Sequence, residues 1–540
     1  MPDPPTIESR FKADDSDRQG SLEEARLAAA LSKPWVLPPQ GQNANDPLPR
    51  NYQSVGSRGS TNLVGRLLLA LYPPNLPWFI LTPTPEFLAF GSPDQVQALQ
   101  QQLFLYGQLL TGKLESMSLD PEDDRGQFIG FRSHKRKVME QVIITGDALE
   151  RMDEDYRMTL FRRDMYVTRR DSSARVLYHV TKETKDPKEL PDDMLAKVDL
   201  PPGTMDAPVK DRMQDLYTLV EYNPRGRDWT VTQEMNGQVL HSFDESVSSY
   251  FSTPFELVGE DYGRGFIEQN LGDLFSLDEI SKNRLNMLSM VSKQLIALDQ
   301  TSTIRDDDLR QEPGNVVRRA QVKGGVLQDL ATIGFQDIRD YQMLISALQD
   351  LRTDLFKAFL QESETTRNAE RVTTAEIRRN VFEIESALGG VYASVADEQQ
   401  RPLIRRLIHQ FNDQASRETG ENVQLPTIGG RSATQVVITT GLTALAQEAE
   451  ADKLLAALSI LQTLGPQALE RVDMAVAVDV ALRQIGFHAP GLIKSQDQID
   501  AERAQNAQQA LALQAGQQAI ESAGSIAETQ ASIAPRRPAA

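Results

Sequence analysis

The chain has 540 residues, 40% of them hydrophobic and 25% charged, with a formal net charge of −19 and no cysteine. That length exceeds the ~100–200 residues of one domain and predicts several packed units, while the missing thiols exclude a disulfide framework, a thiolate zinc site and a cysteine nucleophile. The acidity argues against a protein that grips nucleic acid, because phosphate contacts need clustered Lys and Arg, yet it is compatible with one past which nucleic acid slides.

The opening MPDPPTIESRFKADDSDR has neither the basic nor the apolar region of a secretory signal, and no apolar run reaches the ~18 residues of a membrane-spanning helix. Residues 1–50 read as an N-terminal arm: a short charged helix at 21–30, then the Pro/Gly/Asn-rich linker KPWVLPPQGQNANDPLP, expected on the surface. Next comes NYQSVGSRGSTNLVGRLLLALYPP. Leu63, Leu67, Leu68, Leu69 and Leu71 crowd around Arg66, and Pro73 and Pro74 close the run, which predicts a short core helix. Ser60, Thr61 or Asn62 would be its N-cap, and its apolar face would pack on a strand at 78–82.

Residues 107–114, GQLLTGKL, begin like a phosphate-binding loop and then fail. Leu114 stands where Ser or Thr must hold magnesium, and the glutamine-rich helix DQVQALQQQLFLY precedes it in place of a buried strand. From about 138 to 258 the pattern changes to short β-branched and aromatic segments: VIITG, MTLFRRDMYVTRR, RVLYHVT, LYTLVEY, DWTVTQEM and QVLHSF. Turns at NPRG and at Asn236–Gly237, the latter a strong hairpin signal, punctuate an α+β body.

After Gly263 the period becomes helical. Ile267, Leu271, Leu274, Leu277, Ile280, Met287, Leu288, Val291, Leu295 and Leu298 predict one helix of ~30 residues, and Tyr341, Leu344, Leu348, Leu351, Leu355 and Phe359 a second. Between them lies a compact insert with a strand at 316–322. The string ESETTRNAERVTTAE interrupts the period, and a long helical region at 374–413 follows, with Gly389, Gly390 and Pro402 as places to bend. Helices at 441–464 and 467–486 and an Ala/Gln-rich tail complete the chain.

No residue set for catalysis, a cofactor or a metal is expected. The triplets Asp153–Asp155 and Asp306–Asp308 offer hard oxygens, but solvated acidic surface is the simpler reading. His134, His179, His241, His409 and His488 form no i,i+4 pair and no HExxH, and GxSxG is absent.

Five strings, in this order, resemble the portal, or head-to-tail connector, proteins of short-tailed T7-like phages. They are QSVGSRGSTNLVGRLLLALYPPN (53–75), VIITGDALERM (142–152), TLFRRDMYVTRRD (159–171), VGEDYGRGFIEQNLGDLFSLDEIS (258–281) and AERVTTAEIRRNVFEIESALGGVYASVADEQQRPLIRR (369–406). The resemblance implies an α+β, predominantly helical portal fold. Its parts would be a wing over 51–264, stem helices at 265–299 and 336–360 flanking a clip at 300–335, and a tunnel loop at 361–373. A long wing helix and return segment would occupy 374–440, a helical crown 441–495, and a helical or disordered extension 496–540.

It also implies a ring, usually of twelve copies, at one capsid vertex in the virion, assembled in the bacterial cytoplasm. DNA would pass through it, and the major capsid protein, scaffolding protein, terminase and tail adaptor would meet it, with no membrane, cofactor or enzymatic activity. A terminase subunit or a tail adaptor is the alternative. Candidate channel cations are Lys282, Arg284 and Lys293 in the stem and Arg367 and Arg371 in the tunnel loop. Arg305, Arg310, Arg318, Arg319 and Lys323 are candidate clip contacts to motor or tail. For any one of these cations taken singly, solvated or salt-bridged surface charge is the simpler reading.

Overall fold

A computed structural model describes residues 6–42, 46–73, 78–90, 92–116, 130–257, 261–292, 295–298, 322–323, 326–327, 330–333, 338–360, 391–419, 427–428, 431–432 and 434–438. All of them belong to one compact unit spanning residues 1–446. The readings on 361–373, 441–495 and 496–540 lie outside the described residues.

In chain order the unit contains α1 (Ile7–Asp17), α2 (Gln19–Leu31), α3 (Val55–Leu71), β1 (Phe79–Pro83), α4 (Pro85–Phe90), α5 (Pro93–Ser116), α6 (Phe131–Thr145), β2 (Asp147–Met152) and β3 (Met158–Phe161). Then come β4 (Tyr166–Arg170), β5 (Val176–Lys185), β6 (Gln214–Asn223), β7 (Asp228–Met235), β8 (Gln238–Glu245) and β9 (Tyr250–Pro254). A one-turn helix at Phe266–Gln269 leads into α7 (Leu271–Ser292) and β10 (Leu295–Leu298). The pair β11 (Val322–Lys323) and β12 (Val326–Leu327) precedes β13 (Leu330–Ile333), α8 (Ile338–Ala358) and α9 (Val391–Thr419). The last strands are β14 (Thr427–Ile428), β15 (Arg431–Ser432) and β16 (Thr434–Ile438). The chain is an α+β protein rich in helix.

β4 to β8 form an antiparallel meander, and β3-β2-β9 a second sheet. Leu149, Phe161 and Tyr250 of the second sheet share a core with Tyr166, Val220 and Val231 of the first. Asn236 and Gly237 take φ of 52° and 76°, the left-handed pair a two-residue hairpin demands between β7 and β8. The other sequence-predicted strands of this region fall where expected, with one exception. VIITG is the last turn of α6 and its cap, not a strand: Val142, Ile143 and Ile144 are buried helical residues, and Gly146 at φ 83° ends the helix. A run this short and apolar satisfies both periods. A Cβ on Gly146 would lie 2.2 Å from the Gly263 carbonyl oxygen, so close backbone crossing as well as φ requires glycine there.

The N-terminal residues are not a free arm. Ile7 and Phe11 of α1 bury against Val167, Val180 and Tyr217 of the meander, and Leu22, Ala25, Ala28 and Ala29 of α2 enter the main core, as does Leu37 of the linker. Glu234 accepts hydrogen bonds from the backbone N–H groups of Ile7 (2.8 Å) and Glu8 (3.2 Å), placing a carboxylate at the positive end of α1.

The Leu-rich helix, α3, is a core helix, as read from sequence. Leu63, Leu67 and Leu71 are fully buried, each worth about 1.5–3 kcal/mol relative to exposure. It packs with Tyr72, Trp78 and Phe79 in the main core, and β1 pairs antiparallel with β16, Phe79 opposite Ile438. Its start, however, is Val55 and not the vicinity of Ser60; the Ser60 and Thr61 side chains bond back to the Ser57 carbonyl, and Gln53 Oε1 accepts from the Gly56 N–H at 3.0 Å. VGSRGS is a poor helix sequence chosen for contact. A Cβ on Gly56 would meet the Leu31 carbonyl oxygen at 2.5 Å, and one on Gly59 the Phe359 ring at 2.4 Å.

The first long helix also departs from expectation. α7 ends at Ser292, and Leu295–Leu298 is a strand paired with β13, Leu295 opposite Ile333. Leu295 and Leu298 continue the helical spacing numerically, but they sit in a four-residue apolar run that pairing with a β-branched partner strand captures. The strand expected at 316–322 lies outside the described residues save Val322, which pairs with Leu327. α9 runs through Pro402, while Gly389 and Gly390 lie outside the described residues.

Candidate functional site

The helix pair α7/α8 and the socket that holds its base are built by residues far apart in sequence. Leu274 and Leu277 of α7 and Leu348 and Leu355 of α8 are buried in the main core, with Ile280 and Leu351 half-buried beside them. These belong to the two stripes read from the sequence. Phe359 then enters the body, edge-on to Phe266 with ring centroids 5.5 Å apart.

Polar groups close the socket. Asn62 Nδ2 donates to the carbonyls of Phe359 and Leu360, both at 3.0 Å, satisfying the C-terminal end of α8. From the other helix, Asp278 Oδ1 accepts from the backbone N–H of Tyr52 (2.7 Å) and Gln53 (3.2 Å), just ahead of α3. α8 is thus tied to the middle of α3, and α7 to the backbone that leads into it.

Away from the socket the pair shows apolar side chains to solvent: Phe275 is 57% exposed, Met343 71%, with Leu285 and Leu288 also exposed. Of the candidate cations, Lys282 sits on α7 and pairs with Glu279 at 3.6 Å, both exposed. Arg284 is half-buried on the same helix, its Nε without a hydrogen-bond partner among the described residues. Lys323 falls in β11, opposite Val326. Lys293, Arg305, Arg310, Arg318, Arg319, Arg367 and Arg371 lie outside the described residues, so the structure brings no set of these cations together.

Sequence reasoning missed the buried ionic centres that stiffen the body behind the socket. Lys135 of α6 donates to both Glu150 oxygens (3.0 and 2.7 Å), His134 Nε2 lies 2.9 Å from Oε2, and Gln399 of α9 donates to Oε1 at 3.3 Å; Tyr72 in turn donates to Gln399 at 3.0 Å. All five are buried. Burial pushes the Glu150 carboxyl up, but Lys135 and then His134 more than offset it and hold it down at about 2. Burial pushes the Lys135 ammonium down, and Glu150 opposes this. Glu150 lies on the face of β2 that carries Ala148 and Met152 into the main core, but DALERM has no in–out alternation to mark it, because every residue of β2 except Arg151 is buried.

A second centre joins α1 and α2 to the sheets. The Tyr166 hydroxyl donates to Asp147 at 2.6 Å, the Arg163 guanidinium lies 4.1 Å over the Tyr262 ring, and Arg18 donates to the carbonyls of Arg163 and Tyr166. Nearby, Arg169 bridges Asp14 and Asp261, each at 2.9 Å, and also Asp17. At the start of the one-turn helix, burial and then a hydrogen bond that the protonated Glu268 carboxyl donates to Glu24 push Glu268 up to about 7.

Two sheets and the helices packed on them, joined by buried ion pairs, hold a helix pair in a polar socket. The family described as bacteriophage head to tail connecting protein matches residues 5–493, and the chain belongs to that family. It is 28% identical to the portal protein of Enterobacteria phage T3 over 509 residues, covering 92% of this chain and 89% of that protein. The portal protein of Escherichia phage T7 is 27% identical over 512 residues, with the same two coverages of 92% and 89%. That of Pseudomonas phage phiKMV is 24% identical over 530 residues, 93% of this chain and 95% of that protein. Among the described residues no helix is long and apolar enough to cross a membrane.

Proposed function

We propose that this chain is a portal protein: copies close into a ring at one capsid vertex, through which DNA is packaged and later ejected, and on which first the packaging motor and then the tail dock. The family match over residues 5–493 carries this reading. Physical support comes from α7/α8, whose exposed Phe275, Leu285, Leu288 and Met343 stay wet in a single copy and are covered when copies stand side by side, a heterologous contact that closes by rotation.

In this reading 265–299 and 336–360 serve as the stem, 300–335 as the clip, 361–373 as the tunnel loop and 441–495 as the crown, in a ring of twelve. The ring is a virion part, assembled in the host cytoplasm with scaffolding protein, terminase, major capsid protein and tail adaptor as successive partners. Firm phosphate contacts would raise the barrier to each translocation step. A wall built from a chain of charge −19 instead repels the duplex at short range, within the ~8 Å over which salt leaves the field intact. The work is mechanical, not catalytic.

Negative-stain microscopy with sedimentation of the purified full chain tests this. Rings with a central opening wide enough for a duplex are expected; a monomer at all concentrations, or a monomer that hydrolyses ATP as a terminase subunit would, overturns it.

A further inference from the structure

A cleft of about 410 Å³ opens where α1, α2, β4 and the approach to α7 meet. Most of the charge that lines it is committed. Arg169 of β4 bridges Asp14 and Asp17 of α1 and Asp261, and Arg18 pairs with Asp15 at 2.7 Å while donating to the carbonyls of Arg163 and Tyr166. The Tyr262 hydroxyl accepts from the Thr168 N–H at 2.9 Å. α6 and α7 also pack on the one-turn helix, but neither sends a described side chain into the cleft.

Two carboxyls are left to face each other. Glu24 of α2 is in hydrogen-bond contact with Glu268 of the one-turn helix, a contact that two carboxyls can make only while one of them holds a proton. Glu268 has a second seat as well. One of its oxygens lies 3.6 Å from Arg264, and the other accepts from the Gly265 N–H at 3.4 Å. Both contacts are longer than the ~2.7–2.9 Å of a charge-assisted hydrogen bond, and both strengthen when the carboxyl ionises.

The one-turn helix stands between α2 and the socket. Gly265 is pinned to the end of α6, since a Cβ there would lie 2.9 Å from the Gly146 nitrogen, and Phe266, the next residue, is edge-on to Phe359 at the foot of α8. We propose that Glu268 is a two-position latch worked by a proton: protonated, it ties the one-turn helix to Glu24 of α2; ionised, it turns back onto Arg264 and the Gly265 N–H, which frees the foot of the helix pair from α2. Burial and then the Glu24 contact raise Glu268 to about 7, which brings both positions into the ordinary pH range. Because the folded value is raised, the tie is complete below the unfolded value and is lost as pH rises through the folded one. Phe266 and Ile267 stay in the main core in either position, so the change is a local opening and not unfolding. The latch uses contacts within one copy and is independent of the ring.

Hydrogen–deuterium exchange of the purified full chain at about pH 5 and pH 8, scaled for the intrinsic exchange rate, reads the latch at the Gln269 and Asn270 amides, which close the one-turn helix on the Gly265 and Ile267 carbonyls. Their protection should fall about tenfold at the higher pH, with that of the meander unchanged. In Glu24→Gln the amide donates to the ionised Glu268 at either pH, so the difference should vanish, and Glu268→Gln, donating to Glu24, should do the same. Arg264→Gln withdraws the second seat and should move the transition to higher pH. Equal protection at the two pH values in the parent, a difference that survives in Glu24→Gln, or a transition that Arg264→Gln leaves in place overturns the inference.

Discussion

Gly59 and Phe359, three hundred residues apart in sequence, touch so closely that a β-carbon on the glycine would lie 2.4 Å from the phenyl ring. Gly65, in the same helix, has nothing within 4 Å of the same construction. Gly59→Ala gains helix propensity worth up to about 1 kcal/mol, but overpacking costs about 1–3 kcal/mol and wins. Gly65→Ala keeps the gain alone. Denaturant midpoints of the two variants should therefore move in opposite directions; equal stabilisation would mean that Phe359 is free to leave the socket.

Glu150 is fully buried and held at about 2, against ~4.3 in an unfolded chain. A carboxyl whose folded value is depressed adds stability that is complete above the unfolded value and disappears as pH falls through the folded one. Acid unfolding should thus steepen between about pH 4 and 2, and Glu150→Gln should flatten that limb. Lys135→Met leaves Glu150 without its main partner in a dry site and should cost about 3–5 kcal/mol at neutral pH. Unchanged stability of Lys135→Met would remove the ion pair from the explanation of the fold.

Glu268 behaves in the opposite sense. Burial and its hydrogen bond with Glu24 raise it to about 7, so the folded chain holds a proton that the unfolded chain has released. Between about pH 4 and 7 the native state binds more protons, and stability falls as pH rises through that window. Glu268→Gln should abolish the slope and be more stable than the parent above pH 7. Because Glu268 is only half-buried the gain is modest, and a thermal melt series across pH 4 to 8 reads it. A slope that persists in the variant would assign it to other groups.

Much of this architecture was legible in sequence because its signals are local. Asn236–Gly237 specifies a hairpin by conformation, and Leu348, Leu351 and Leu355 mark a helix face by spacing. What escaped notice depends on partners remote in sequence. Gly56 and Gly59, ahead of the expected N-cap, owe their place in α3 to Leu31 and Phe359 packed against them, and Ile7 and Phe11 form too sparse a stripe to predict that α1 packs on a sheet. Leu295–Leu298 satisfies both periods, and the choice is made by β13. The charges were harder still. Lys135 looks like one more surface cation in FRSHKRK, and only the fold aims it at Glu150.

Lys282 on α7 yields the last prediction. The side chains of Lys282 and its partner Glu279 are both nearly half exposed, and such pairs are worth about 0–1 kcal/mol. Lys282→Ala should therefore leave the melting temperature and ring assembly nearly unchanged. If the face of α7 that carries Lys282 looks into the channel, removing the charge from every copy makes the wall more repulsive to DNA, and the packaging rate should respond most at low salt, where the Debye length is about 30 Å, and converge with the parent near physiological salt. Packaging by variant rings at two ionic strengths measures this directly. A rate that matches the parent at both places Lys282 among the solvated charges of the outer surface.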